Sequence, residues 1–474
     1  MSKRLLWLWC SVVSALPLLI WASQCRASAR ELHQITGSLF SFTPAPRSGG
    51  FRYGPFAGLT RDARFDRIVA RFSERLAQKR VPGGAVAVVL DGRLAYSAGV
   101  GVLRSSIPTR VDAESRFRTA SLSKMLLAAT IMSLVERDGL ELEAPLIKYL
   151  PYFARAKGYP ASAITLRMLL EHTAGVPDSE DRRMLGLKAL ITAHASDPLL
   201  SPPGRLFNYS NAGYALLAAV IEAKTGRPFE QVVAERVFSP AHMVTASYTT
   251  AANESGLSAG HDASRRVLWT RPRDNEASRA AGGVIASAVD YAHFVEVLLA
   301  GGENMLHADS VRAMMRGRAL VQDEPRKLYG FGLIESERAG LDVVEHAGSS
   351  SGFSTLLRMV PSRGFAVIVF DNGTFAPDEL ADAAMSAFLE VPEAAPVHVP
   401  KPQEVWPAYV GEYEDVSGRL GRFAVRLRDG HLWLEEKGGQ RGELPKGLRG
   451  RFERDENGRV EYFVTRLGVA SKRR

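Results

Sequence analysis

The chain has 474 residues, of which 46% are hydrophobic and 23% charged, with a formal net charge of +9. This is ordinary globular composition, long enough for more than one domain. Much of the positive charge is scattered arginine, and no basic block interleaves with aromatics. Nucleic acid is therefore excluded as a partner, and the basicity suits solubility and attraction to an anionic cell-wall or membrane surface.

Residues 1–29 read as a targeting segment. Lys3 and Arg4 form a positive start, Leu5 to Ala22 is apolar, and Ala27-Ser28-Ala29 fits a small-x-small cleavage site. Export to the periplasm or the exterior is expected, with Arg30 as the first mature residue. The rival readings are a membrane anchor through residues 5–22, near the lower length limit for a span, and lipidation of Cys25, for which Gln24 is a poor preceding residue. Both cysteines, Cys10 and Cys25, fall in this segment. The cleaved chain then folds without disulfides.

Residues 30–62 form an N-terminal extension with little periodicity. Phe65 to Ala77 has helical spacing. Gly84 to Leu90 and Arg93 to Tyr96 flank Asp91-Gly92, a two-residue hairpin turn that needs positive φ. Leu122 to Val135 is mostly apolar or small and stops at Gly139, which predicts a helix buried on most sides. Ser121 and Lys124 lie one turn apart at its start, on one face. A serine hydroxyl is a weak nucleophile until a neighbouring base takes its proton. A lysine is such a base when burial and nearby cations lower its pKa. The helix start also offers free N–H groups to an oxyanion.

Leu166 to Leu170 predicts a short helix that runs into Glu171-His172-Thr173-Ala174-Gly175. Ala212 to Lys224 predicts another, ended by Gly226, just after Tyr209-Ser210-Asn211. Ala252 to Arg279 is polar and aperiodic, so Arg265, Arg266, Arg271, Arg273 and Arg279 are read as a solvated loop. Ser287 to Leu299 predicts a helix. Val343 to Glu345, Ser354 to Val360 and Phe365 to Phe370 predict an antiparallel meander turned at Pro361-Ser362-Arg363-Gly364. Residues 391–405 form a Pro-rich linker. From Trp406 short alternating strands, with turns at Asp429-Gly430 and Asn457-Gly458, predict a small β domain over 406–474. So small a sheet has a thin core. Its aromatics Trp406, Tyr409, Tyr413, Trp433, Tyr462 and Phe463 are expected in part to pack on the domain before it.

Three stretches carry the chemistry: Ser121-Leu122-Ser123-Lys124, Tyr209-Ser210-Asn211 and His346-Ala347-Gly348. In this order they resemble the three motifs of the serine β-lactamase and penicillin-binding protein superfamily. Their surroundings are most similar to its class C β-lactamase-like branch, which also holds D,D-peptidases, D-aminopeptidases and esterases. The resemblance spans roughly residues 65–390, with Phe117 to Leu126, Glu171 to Pro177, Pro203 to Gly226, Ala281 to Gly302, Tyr329 to Gly332 and Gly352 to Ser354 as matching blocks. It implies an α+β catalytic domain over 63–390, an antiparallel sheet flanked by helices, with a mostly helical subdomain between the first and third motifs. The small all-β domain follows it. Certain relatives with such an appended domain use it to crowd the cleft and narrow the substrate range, and the alternative is a passive or partner-binding appendage.

The resemblance also implies the roles. Ser121 is the nucleophile that forms an acyl-enzyme, and Lys124 and Tyr209 handle protons. Asn211, His346 and Gly348 meet the substrate, and the backbone N–H groups of Ser121 and Ser349 form the oxyanion hole. His346 stands where many relatives carry lysine. It binds a substrate carboxylate only when protonated, so it is the weaker anion anchor near neutral pH. This favours a peptidase or esterase over an efficient β-lactamase. The implied activity is an exported serine hydrolase acting on a D-amino-acid peptide, a β-lactam or a small ester. The alternative is a catalytically silent protein that keeps the fold as a binding scaffold. No metal or cofactor is expected, because the ten histidines are dispersed and no HExxH occurs. His172 is read as structural. Gly348-Ser349-Ser350-Ser351-Gly352 matches the GxSxG elbow, but that elbow needs a following helix. Phe353 to Val360 predicts a strand instead, so Ser350 is read as part of a strand connection.

Overall fold

Asp91 and Gly92 have φ of 51° and 73°, the pair of positive values that a tight two-residue hairpin requires. They join β1 (Gly83–Leu90) to β2 (Arg93–Arg104). The computed structural model describes residues 62–473 apart from 154–159, 179–185, 196, 249–255, 270–275, 322–326, 351, 375–376, 392–406, 416–420, 429–430, 437–440, 445–449, 455–458 and 466–468. The targeting segment, nearly all of the extension and the linker, the Asp429-Gly430 and Asn457-Gly458 turns, and Arg271, Arg273 and Trp406 lie outside the described residues.

After the hairpin come the edge strand β3 (Ile107–Arg110), β4 (Phe117–Arg118), a ribbon of β5 (Gly260–His261) with β6 (Val267–Trp269), and β7 (Ile285–Ala286). Then follow β8 (Ala319–Leu320), β9 (Leu328–Tyr329), β10 (Ile334–Arg338), β11 (Leu341–Ser350), β12 (Phe353–Val360) and β13 (Phe365–Asp371). Nine of these strands form one antiparallel sheet in the order β3-β2-β1-β13-β12-β11-β10-β9-β8. The helices are α1 (Ala63–Gln78), α2 (Ser123–Asp138), α3 (Leu166–Leu170), α4 (Leu187–Ala195), α5 (Asn211–Thr225), α6 (Phe229–Val233), α7 (Glu276–Gly282), α8 (Ala288–Leu299), α9 (Ala308–Met315) and α10 (Asp378–Leu389). The polar stretch 252–279, expected to be one loop, holds β5, β6 and the start of α7.

The central strands are apolar at nearly every position because both faces are covered. On β1 and β13, Val86, Val88, Val367 and Val369 face a core shared with α1 and α10. The alternating residues Ala85, Ala87, Ile368 and Phe370 face the larger core, which holds α2, α5 and α8. Helix α2 runs through that core. Met125 to Ala129, Ile131 and Leu134 are all fully buried, each large side chain contributing roughly 1.5–3 kcal/mol by leaving water. Gly139 at φ 66° and Gly226 at φ 68° end α2 and α5 in the left-handed conformation. Among the described residues no helix is long and apolar enough to cross a membrane.

The C-terminal region is a second antiparallel sheet of β14 (Gly411–Asp415), β15 (Arg422–Arg428), β16 (His431–Glu436), β17 (Arg441–Leu444), β18 (Gly450–Arg454), β19 (Val460–Thr465) and β20 (Val469–Lys472). The strand order is β17-β16-β15-β14-β20-β19-β18. Its aromatics serve this sheet more than the sequence suggested. Tyr413, Phe423, Phe452 and Phe463 make its own core, with Tyr409 packed against them. The opposite face of β19, Tyr462 and Val464, packs outwards on Leu200 and Leu206. Together the two sheets and their helices make an α+β fold with a small all-β C-terminal region.

One charged group stands out in the larger sheet. Arg358 on β12 has no solvent exposure. Its guanidinium donates to Glu345 at 2.7 Å and to Asp378 at 3.1 Å, and also reaches Asp382, so it ties β11 and β12 to α10. Burial alone raises the Glu345 carboxyl, but Arg358 and then Arg338 outweigh it and hold the group below its ordinary pKa of 4.5. That contribution to stability is full above the ordinary value and is lost as pH falls through the lowered one. Arg358→Leu leaves the buried Glu345 carboxylate to the more distant Arg338 alone and should lower unfolding free energy by about 3–5 kcal/mol. Urea titration at pH 7 measures it, and a loss well under 1 kcal/mol would mean that apolar packing replaces the network.

Candidate active site

Ser121 does not sit in the first α-helical turn. It lies in a 3₁₀ turn, Ala120–Leu122, that leads into α2. Ala120 has φ +49°, a left-handed backbone that costs a non-glycine residue on the order of 1 kcal/mol. Side chains and strands hold the turn. Thr119 N donates to Val284 O at 2.9 Å, Ser123 Oγ donates to Ala120 O at 2.7 Å, and Val284 N donates to Ser123 Oγ at 3.0 Å. The pairing of β4 with β7 sets this register.

Lys124 is fully buried. Its Nζ donates to Ser121 Oγ at 3.2 Å, Asn211 Oδ1 at 2.8 Å and Ala281 O at 2.8 Å. Three acceptors around one nitrogen match the three N–H bonds of an ammonium. The Nζ also stands 4.7 Å from the centre of the Tyr209 ring. The structure therefore brings Ser121, Lys124, Tyr209 and Asn211 together. Asn211 is the first residue of α5, and the helix cap is Ser210, whose Oγ accepts from Gly213 N at 3.0 Å. The Asn211 amide is oriented without ambiguity: its oxygen faces an amine, and its Nδ2 donates to Asp178 Oδ2 at 2.8 Å. One Nδ2 hydrogen is left for a substrate.

The third motif departs from expectation at two positions. His346 is buried, and both ring nitrogens are engaged: Nδ1 with Ala347 O at 2.7 Å and Nε2 with Tyr329 Oη at 3.0 Å. A carbonyl only accepts, so Nδ1 carries the proton and Tyr329 donates to Nε2. Burial, then the charge of Lys124, pushes the His346 pKa down to about 3. A neutral ring with both nitrogens committed is not the carboxylate anchor that the sequence suggested. At Gly348 the space of the missing side chain is taken by the protein itself. A Cβ there would lie 2.3 Å from Thr355 Oγ1 and 2.7 Å from Thr119 O. The missing side chain lets β11 press against the turn that carries Ser121.

Ser350 ends β11, pairs with Phe353 and is followed by β12, so the elbow reading of GxSxG lacks its helix here. Ser349 is exposed beside it. A cavity of about 120 Å³ opens at Ser121 and is lined by Arg118, Asp178, His194, Asn211 and Ser349, with small residues such as Ala277 between them. Sequence reasoning missed Asp178, Tyr329 and the Ala281 carbonyl. Only the block containing Ala281-Gly282-Gly283 hinted at the last, since a backbone acceptor has no residue signature.

His172 is buried at φ +59°. Its Nδ1 accepts from Ser210 N at 3.0 Å and its carbonyl accepts from Asn208 N at 2.8 Å. Burial first, then the charge of Lys124, holds its pKa well below the ordinary value, so the ring is neutral. It is packed among Phe207, Tyr209, Tyr214 and Tyr329.

Known proteins are similar to the chain over most of its length. Penicillin-binding protein 4 of Amycolatopsis lactamdurans is 28% identical over 375 residues, covering 73% of this chain and 97% of that protein. The D-alanyl-D-alanine-carboxypeptidase/endopeptidase AmpH of Escherichia coli K12 is 25% identical over 330 residues, 64% of this chain and 82% of AmpH. The crystal structure of SurE superposes with a TM-score of 0.68 at 26% identity, over 87% of this chain and 99% of that one. The Beta-lactamase family profile matches residues 65–390. With that match spanning well over half of its length, and with an antiparallel sheet and helical subdomain arranged around Ser121, the chain belongs to the Beta-lactamase family.

Proposed function

We propose that the chain is a serine hydrolase that forms an acyl-enzyme on Ser121 and acts on an amide or ester, with D-amino-acid peptides as the favoured class. The observation that carries this is the Lys124 amine, fully buried and donating at once to Ser121 Oγ and Asn211 Oδ1. A buried ammonium needs this much hydrogen bonding to be tolerated, and here one of its acceptors is the candidate nucleophile. In the proposed step Ser121 Oγ bonds to the substrate carbonyl carbon and its proton passes to Tyr209. Lys124 favours the phenolate form of Tyr209 by its charge. Tyr209 then protonates the leaving group, and water hydrolyses the ester formed on Ser121 by the reverse path. The N–H groups of Ser121 and Ser349 are the proposed oxyanion donors. The peptide preference draws on AmpH, named for D-alanyl-D-alanine peptidase activity. The neutral His346 offers no charge to a substrate carboxylate, so amides and esters without one there are equally open to the site. Export through residues 1–29 belongs to the same reading.

Ser121→Ala should abolish covalent labelling by a fluorophosphonate or a penicillin, while Ser350→Ala should keep most of it. Intact-mass spectrometry with peptide mapping decides, and an adduct on Ser350 would overturn the assignment. A folded protein with no adduct and no turnover on ester, D-amino-acid amide or D-Ala peptide would instead support a binding scaffold.

Replacing Lys124 by Ala or Tyr209 by Phe should each slow acylation by on the order of 10²-fold or more, as lost proton-transfer groups do. The double variant should fall well short of the product, because the two act as one unit. Stopped-flow acylation measures this, and full multiplication of the losses would separate the two roles.

His346 should not titrate in the working range, since its pKa lies near 3. The acid limb of kcat/KM between pH 5 and 8 should therefore keep its midpoint in His346→Gln. A midpoint moved by a full unit would assign that limb to His346.

A further inference from the structure

The Tyr209 side chain is held by a segment without regular secondary structure. Residues 199–210 connect α4 to α5, and only their neighbours can fix such a stretch. One side is laced to the turn at 172–175. Leu200 N donates to Gly175 O, Gly204 N to Thr173 O and Asn208 N to His172 O, each at 2.8 Å. Ser210 N donates to His172 Nδ1 at 3.0 Å. The approach is close: a Cβ on Gly175 would lie 2.5 Å from Ser201 O. The other side is covered by the C-terminal sheet. Leu200 and Leu206 are buried against Val464, with Tyr462 packed beside them. Arg205 pairs with Glu461 at the edge of the same patch. Strand β19 alternates, so Phe463 fills the core of its own sheet while Val464, 1% exposed, is covered by this segment. Three residues past Leu206 comes Tyr209.

We propose that the C-terminal sheet is a brace for Tyr209. By pressing residues 200–206 onto the turn at His172 it holds the phenol beside Lys124, and so sets the acylation rate of Ser121 from outside the cleft. This rests on the reading of Tyr209 as the proton-handling group. Reacting groups must be held within about 0.5 Å of their productive geometry, and displacement of a strap three residues away is enough to spoil that. A lid would put its own residues at the cavity. Among the described residues, those lining the cavity run from Arg118 to Ser350, and none belongs to the C-terminal sheet.

The test uses the full-length chain and the acylation burst with p-nitrophenyl acetate. Val464→Asp puts a charge into the buried patch. Arg205→Glu sets two carboxylates against each other at exposed positions, where misfolding is not a concern. Either should slow acylation by about 3- to 30-fold, the span of typical coupling through packed elements, with the thermal midpoint of the larger domain kept. Arg205→Glu combined with Glu461→Arg should restore the rate. In a Tyr209→Phe background the same variants should lose less than twofold, because the group they position is already gone. Unchanged acylation in both Val464→Asp and Arg205→Glu, beside an impaired Tyr209→Phe, overturns the brace alone. Full acylation in Tyr209→Phe by itself overturns the proton-handling reading, and the brace with it. A changed ratio of rates between the small ester and a longer D-amino-acid peptide amide would make the sheet a lid and overturn the proposal.

Discussion

An amine with no solvent exposure is the constraint on which the site depends. Lys124 cannot remain charged in the core without acceptors. It draws them from three separate parts of the chain: the turn at Ser121, the first residue of α5, and the carbonyl of Ala281 at the end of α7. Each must arrive for the charge to be tolerated. The packing of α2, α5 and α7 in one core is therefore also the assembly of the site. Asp178 extends the chain of contacts by fixing the far side of the Asn211 amide. The carboxylate accepts only and the amine donates only, so the amide between them cannot turn over.

The parts of the fold written in local pattern were legible. Asp91-Gly92, Gly139 and Gly226 stand at positions whose backbone needs positive φ, and each ends its element as expected. The central strands were legible as unbroken apolar runs. The Ser121/Lys124 spacing was legible because a helix places residues three apart on one face, although the serine itself falls in the 3₁₀ turn ahead of the helix. Tyr209 and Asn211 were found only through the resemblance, since an aromatic and an amide beside a helix start are ordinary residues.

What was not legible depends on contacts between distant segments. Gly348 looked like an opening for substrate because sequence shows that a side chain is missing. It does not show what fills the space, and Thr119 and Thr355 fill it. His346 looked like an anion anchor because an imidazole can carry charge. Its neutrality comes from burial and then from the charge of Lys124, and Tyr329, seventeen residues earlier and on a different strand, takes up its Nε2. His172 was read as structural, and the structure gives that word content: its ring and carbonyl together hold the backbone on both sides of Tyr209. The aromatics of the C-terminal sheet were expected to face outwards in part. Period-2 alternation sends Tyr413 and Phe463 inwards and Tyr409 packs against them, while among the described residues Tyr462 and Val464 supply the apolar contact with residues 200–206.

The close fit at Gly348 gives the two halves of the site different compliance. On the sheet side, the strand lies close against the turn: Thr355 Oγ1 donates to the backbone carbonyl of Thr119 at 3.0 Å. A Cβ at Gly332 would lie 2.7 Å from Met125 Cα. Strand, turn and helix start are thus locked as one body, with no slack for a rotamer change to absorb. On the helical side, contact is made through side chains: Lys124 Nζ reaches the Asn211 amide oxygen and the face of the Tyr209 ring. Ser121 and the edge of β11 are thereby fixed relative to one another, so a change in the width of the cavity beside them has to come from the opposite wall.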